Sequence, residues 1–141
     1  MFVRQLSVFL ENTTGSLTGF TKTLKDNGID LKAMSIADTM DFGIARCIVE
    51  DPEKTAGILQ QNGYNTTITK VLAAEMRDIP GGLHAILEIL SDHGIAVNYA
   101  YSIVRSREDY AVIILKVKDP QQAGELLQSS GVNMYCHKDL I

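Results

Sequence analysis

Laid against itself with a shift of 66 residues, the sequence places the stretch from Asn12 to Leu17 (NTTGSL) on that from Asp78 to Leu83 (DIPGGL). Leu24 then meets Leu90, and Gly28-Ile29 meets Gly94-Ile95. Further along, the shift grows to 68: Val49 meets Val117, Asp51-Pro52 meets Asp119-Pro120, Leu59 meets Leu127, and Gly63 and Asn65 meet Gly131 and Asn133. The two extra residues fall around 40–42 and 106–109, between strands, where a hairpin loop tolerates insertion. A chain of 141 residues with this period is a tandem duplication, with units expected at 1–69 and 70–141. A unit of about 70 residues is marginal alone, so its bare sheet face or edges should be buried against the other unit or another chain.

Each unit reads strand, helix, strand, strand, helix, strand. Leu6, Val8 and Leu10 alternate as in a strand, and Leu17, Phe20 and Leu24 recur at helical spacing after the turn at 12–15. Asn27-Gly28 closes that helix. Residues 30–36 and 43–49 form the second and third strands, and 64–69 a weakly apolar fourth. Asp51-Pro52 opens the second helix, with Asp as cap and Pro where the missing N–H costs nothing. In the second unit the helix at 82–93 carries Leu83, Ile86, Leu87 and Leu90 on one stripe, and the strand at 110–117 is almost continuously apolar. No Gly/Ser/Pro-rich linker marks the seam near 69–71, so the units should join directly. The fold class expected is α+β: two tandem ferredoxin-like (βαββαβ) units, antiparallel sheets with helices on one face.

Composition excludes several partners. With 13 Lys and Arg against 17 Asp and Glu the net charge is −4, which argues against nucleic acid. The longest uncharged apolar run, 111–115, is too short to cross a bilayer, and the first residues lack a signal-peptide core; no membrane partner and a cytoplasmic location are expected. Cys47 and Cys136 form no CxxC pair, so neither a disulfide framework nor a metal site is expected, and no cofactor. Cys47 reads as a buried thiol. Aromatic residues are only 6% of the chain, against an RNA-recognition sheet. An acylphosphatase-like enzyme would need an arginine beside a phosphate-binding loop; Arg77 is a candidate, but the first loop has no counterpart. His84 and His93 lie nine residues apart, out of register on one helix, and no nucleophile–base order is present.

The chemistry concentrates in the two strand-to-helix turns. Glycine at 15 and 81 permits a positive φ and close ligand approach. The helix behind it offers N–H groups without intrahelical partners and the positive end of its dipole, a setting for a carboxylate. Asn12 and Asp78, three residues earlier, can accept from an ammonium group. Carboxylate and ammonium recognition in one small turn suits a free α-amino acid, although the same pattern also serves as an ordinary capping turn. Tyr99 and Tyr101 alternate onto one face of a strand, for packing or, if that face is helix-free, for lining a pocket.

These turns, with the helix-ending Asn27-Gly28-Ile29-Asp30-Leu31 and His93-Gly94-Ile95-Ala96-Val97, resemble the ACT domain, a family of ferredoxin-like regulatory modules that bind amino acids at domain interfaces. The resemblance covers the whole chain as two copies. The second turn matches the family's Asn/Asp-x-Pro-Gly-x-Leu; the first has Thr14 where Pro is usual, and Ala96 replaces the polar residue matched by Asp30. The resemblance implies a binding module without catalytic activity. Its ligand would sit between the first turn of one unit and the second-strand region of a neighbour. The candidate ligand residues are Asn12, Thr14, Gly15, Ser16, Leu17 and Asp30 in the first unit, and Asp78, Pro80, Gly81, Gly82, Leu83 and Tyr101 in the second. A homodimer and a partner enzyme receiving the signal are expected. A ligand-free structural or protein-interaction module is the alternative.

Overall fold

The structure, a computed structural model, describes residues 1–103 and 108–141. Its elements in chain order are β1 (Val3–Glu11), α1 (Ser16–Asp26), β2 (Ala33–Asp38), β3 (Phe42–Ile48), α2 (Pro52–Gln61), β4 (Thr66–Arg77), α3 (Gly82–Asp92), β5 (Val97–Ile103), β6 (Tyr110–Val117), α4 (Pro120–Ser129), β7 (Met134–Tyr135) and α5 (His137–Leu140). The chain divides into two compact units: Arg4–Thr69 with Ile141, and Lys70–Leu140 with Met1–Val3. They are called the N-terminal and C-terminal units below.

In the N-terminal unit β3 pairs antiparallel with both β1 and β2, in the registers Leu6↔Cys47 and Met34↔Cys47. Alternation then sends Leu6, Val8, Leu10, Ala45, Cys47 and Val49 to one face, where they bury with Phe20 and Leu24 of α1 and Ala56 and Leu59 of α2. The C-terminal unit repeats this in the order β5-β6-β4-β7. Leu72, Ala74, Ile113, Leu115 and Val117 bury with Ile86, Leu90, Ala123 and Leu127. The self-shift maps one core onto the other: Leu6 to Leu72, Leu24 to Leu90, Cys47 to Leu115, Leu59 to Leu127. Both units are therefore βαββαβ folds with an antiparallel sheet flanked by helices. A fully buried Leu or Ile contributes about 1.5–3 kcal/mol, so these matched stripes fix the register.

The helix starts repeat in the same way. Asp51 accepts from the Lys54 N–H at 2.9 Å and Asp119 from the Gln122 N–H at 3.0 Å, each with Pro at the first helical position. Two boundaries differ from expectation. β2 begins at Ala33 rather than at residue 30, because Asp30 turns to bond the Lys32 ammonium at 2.8 Å and pairing with β3 starts at Ala33↔Ile48. The weak fourth strand does not stop at residue 69 but runs on as the first strand of the C-terminal unit, to Arg77, with no turn-forming residue between. The shorter of the two hairpins spans 39–41; residues 104–107, with Ser106 of the longer one, lie outside the described residues. The three N-terminal residues pack on the C-terminal unit: Phe2 joins its core, and the Lys70 ammonium stands 5.3 Å from the Phe2 ring centre.

Candidate functional site

Two clefts of about 440 and 350 Å³ open at the strand-to-helix turns, one in each unit. Gly81 (φ 88°, ψ −8°) precedes α3 and Gly15 (φ 89°, ψ −11°) precedes α1, so the chain enters both helices through the left-handed region that favours glycine. A Cβ added at either glycine would meet nothing within 4 Å, which leaves the turn open to a ligand.

The same repeat relates the clefts wall by wall. Gly15, Ser16 and Gly19 line one where Gly81, Gly82 and Ala85 line the other, and Gly63 and Asn65 correspond to Gly131 and Asn133. Each cleft is thus built from the end of a strand, the start of the helix that follows, and the turn after the unit's second helix, some fifty residues on. The cleft walls also differ. Phe9, Glu11, Phe42 and Tyr64 of the N-terminal cleft stand where the C-terminal cleft has Glu75, Arg77, Tyr110 and Val132. Glu75 accepts from the Asn133 amide at 2.9 Å and from the Tyr135 hydroxyl. Glu11 pairs across the sheet with Phe42, as Arg77 does with Tyr110.

Neither α1 nor α3 has a side-chain cap, nor an acidic residue in its first turn. The first intrahelical bonds are Gly19 N–H to Gly15 O (2.8 Å) and Ala85 N–H to Gly81 O (3.0 Å). Ser16 N–H is engaged by Thr13 O at 3.2 Å and Gly82 N–H by Ile79 O at 3.0 Å. The amides left at the helix mouths are those of Leu17 and Thr18, and of Leu83 and His84. They give each turn a positive pole one residue further into the helix than Gly15-Ser16 and Gly81-Gly82 themselves.

Of the residues singled out by sequence, Gly15 and Ser16 line the N-terminal cleft, and Pro80, Gly81 and Gly82 the C-terminal one. Leu17 and Leu83, large apolar residues left exposed, sit at the first turns of α1 and α3. Asn12 and Asp78 prolong the β1–β3 and β4–β6 ladders through their backbone, with N–H bonds to Asp41 O (3.1 Å) and Asp109 O (2.9 Å). Thr14 is exposed in the turn. Asp30 stands at the other end of α1, in a separate hollow with Asp51 and Lys54. Its hydrogen bond and charge pairing with Lys32 hold its carboxyl below the usual range. Tyr101 lies opposite Ile114, and Tyr99 opposite Lys116; since Ile113 and Leu115 face the helices, both tyrosines occupy the helix-free face.

Sequence reasoning missed Phe9, Glu11, Phe42, Tyr64, Asn65, Glu75, Tyr110 and Asn133 as cleft residues. The signal for two of them was present in the matched Gly63/Asn65 and Gly131/Asn133. Arg77, a candidate for phosphate chemistry from sequence, lines the C-terminal cleft.

Among the described residues no three His, Cys, Asp or Glu side chains converge as a metal site, and no helix is long and apolar enough to cross a membrane. Cys47 is buried, which pushes its thiol up to about 12. His93 Nδ1 lies 2.9 Å from Ile89 O at the end of α3, and exposed His84 stands near Glu88 one turn on.

Comparison with known proteins agrees with this architecture. Protein BT0572 from Bacteroides thetaiotaomicron has a crystal structure that superposes with a TM-score of 0.92 at 35% identity, covering 99% of this chain and 96% of that one. The regulatory subunit of aspartate kinase from Thermus thermophilus, in its ligand-free form, shares the fold at a TM-score of 0.65 and 9% identity, over 89% of this chain and 91% of that one. The Thermus flavus counterpart gives 0.64 and 9%, over 89% and 90%. Comparison with proteins of curated function gives no significant match. The family model described as an ACT domain pair matches residues 1–141, the full span of both repeats and both glycine turns. The chain belongs to the ACT domain pair family.

Proposed function

We propose that this module senses a free α-amino acid, held at the glycine turns, and signals to a partner enzyme. The observation that carries the reading is the pair of equivalent clefts, each with a left-handed glycine and the uncapped start of a helix in its wall. A carboxylate fits that pole, because the amides and the helix dipole act together. Further support comes from the structures described as regulatory subunits of aspartate kinase, which share the fold.

In this reading the ligand joins the turn of one ACT unit to the second-strand region of a neighbouring unit, in a homodimer. By binding one packing of those units more tightly than another, it shifts their equilibrium and biases the partner. A thermal-shift screen of the twenty amino acids tests the proposal. At about 100 times its dissociation constant, a bound ligand adds roughly 2.7 kcal/mol of stability. A response to one amino acid or a chemically related group is expected. No response to any of them refutes amino-acid sensing and favours a ligand-free interaction module.

A further inference from the structure

We infer that the two clefts have diverged in charge, and that the C-terminal cleft, through Arg77, holds the ligand's α-carboxylate while the N-terminal cleft takes none. This rests on the amino-acid reading above and sharpens it to one of two equivalent places.

The backbone floors of the clefts are alike: the glycine angles agree within a few degrees, and neither helix start has a side-chain cap or a first-turn acid. What differs is the residue that ends the adjoining strand. Glu11 stands in the N-terminal cleft and Arg77 in the C-terminal one, a reversal of two charge units at one place in the fold. The Glu11 carboxylate is itself an anion beside the positive end of α1, so it competes with any incoming carboxylate for that pole. The Arg77 guanidinium adds to the pole of α3 and can grip a carboxylate through two parallel N–H bonds.

The opposite wall completes the contrast. Glu75 lines the C-terminal cleft, where its carboxylate accepts from Asn133 and Tyr135. Its counterpart in the N-terminal cleft is Phe9, beside Phe42 and Tyr64. One cleft therefore presents a cation beside its helix start. The other presents an anion and aromatic rings.

Calorimetric titration tests this with the L-amino acid that gives the largest thermal shift and with its α-amide, which lacks the carboxylate. The wild-type chain should bind the free acid at one site per chain and the amide at least tenfold more weakly. Arg77→Gln should weaken the free acid about tenfold without lowering the melting temperature of the unliganded protein, since residue 77 is exposed. Arg77→Lys should recover part of the loss, and Glu11→Arg should raise the stoichiometry toward two. Wild-type affinity in Arg77→Gln, equal binding of the amide, or two equal sites in the wild type would each overturn the assignment while leaving amino-acid sensing intact. If no amino acid binds the wild type, both readings fall together.

Discussion

Gly81 and Gly82 are neighbours in the turn that opens α3, yet they resist substitution for different reasons and to different degrees. At Gly81 an added Cβ meets nothing within 4 Å, so the penalty of Gly81→Ala comes only from holding a non-glycine residue at φ 88°. That costs about 1–2 kcal/mol, less the few tenths recovered because alanine restricts the unfolded chain. At Gly82 a Cβ would lie 2.0 Å from the carbonyl oxygen of Arg77 and 3.1 Å from its carbonyl carbon. Contact between carbon and a carbonyl oxygen needs about 3.3 Å, so the end of β4 and the start of α3 must part by more than about 1 Å. The groups in the way are backbone, and no rotamer change relieves them. Parting them strains the Gly82 N–H to Ile79 O bond and the Asp78 N–H to Asp109 O bond. Overpacking of about 1–3 kcal/mol and roughly 1 kcal/mol for a weakened bond give about 2–4 kcal/mol for Gly82→Ala. For a chain of this size each kcal/mol lowers Tm by about 2–4 °C, so calorimetry should find Gly82→Ala several degrees below Gly81→Ala. Gly82→Ser should behave like Gly82→Ala, even though the equivalent position of the N-terminal unit already carries Ser16. A Gly82→Ala protein that melts with or above Gly81→Ala would refute the close approach of strand and helix.

Three further outcomes are expected. Asp51→Ala and Asp119→Ala each remove a side-chain acceptor from a helix start and should cost about 1 kcal/mol apiece, read from urea midpoints with an unchanged denaturant slope. In the native protein a thiol reagent at pH 8 should label half-buried Cys136 and spare Cys47, both reacting once the chain is unfolded. Burial raises the Cys47 thiol from 9.0 to about 12, so the native state keeps a proton that the unfolded chain loses. Its stabilising effect is complete below pH 9 and declines above it, by about 1.4 kcal/mol per pH unit. The stability advantage of wild type over Cys47→Ala should therefore shrink between pH 8 and pH 10.

The duplication made the core legible in advance, because a shift that aligns Leu24 with Leu90 and Leu59 with Leu127 aligns the buried stripes as well. It also marked both glycine turns, since a Gly just after a strand and just before an apolar helix has few other uses. The clefts were less legible. Their second wall comes from Asn65 and Asn133, residues brought to the turn only by strand pairing across the sheet, and no local pattern announces which strand ends will face a helix start. Asp30 shows the converse: near Gly28 in sequence, it lies a helix length from Gly15 and is tied to Lys32. The continuity of β4 past Thr69 depended on an absence of turn residues, a weaker signal than their presence.

The membership of Met1–Val3 in the C-terminal unit has a consequence for how the protein is made. During synthesis the N-terminal unit, apart from Ile141, has emerged once residue 69 is clear of the ribosome. The first three residues must wait. Met1 packs at Gly124, where an added Cβ would lie 2.6 Å from its sulfur, and Gly124 is translated more than a hundred residues later. Contacts so far apart in sequence add to the non-local pairing that slows folding. Completing the C-terminal unit thus requires a segment from the far side of the N-terminal unit's sequence, and deleting residues 1–3 should destabilise the C-terminal unit more than the N-terminal one.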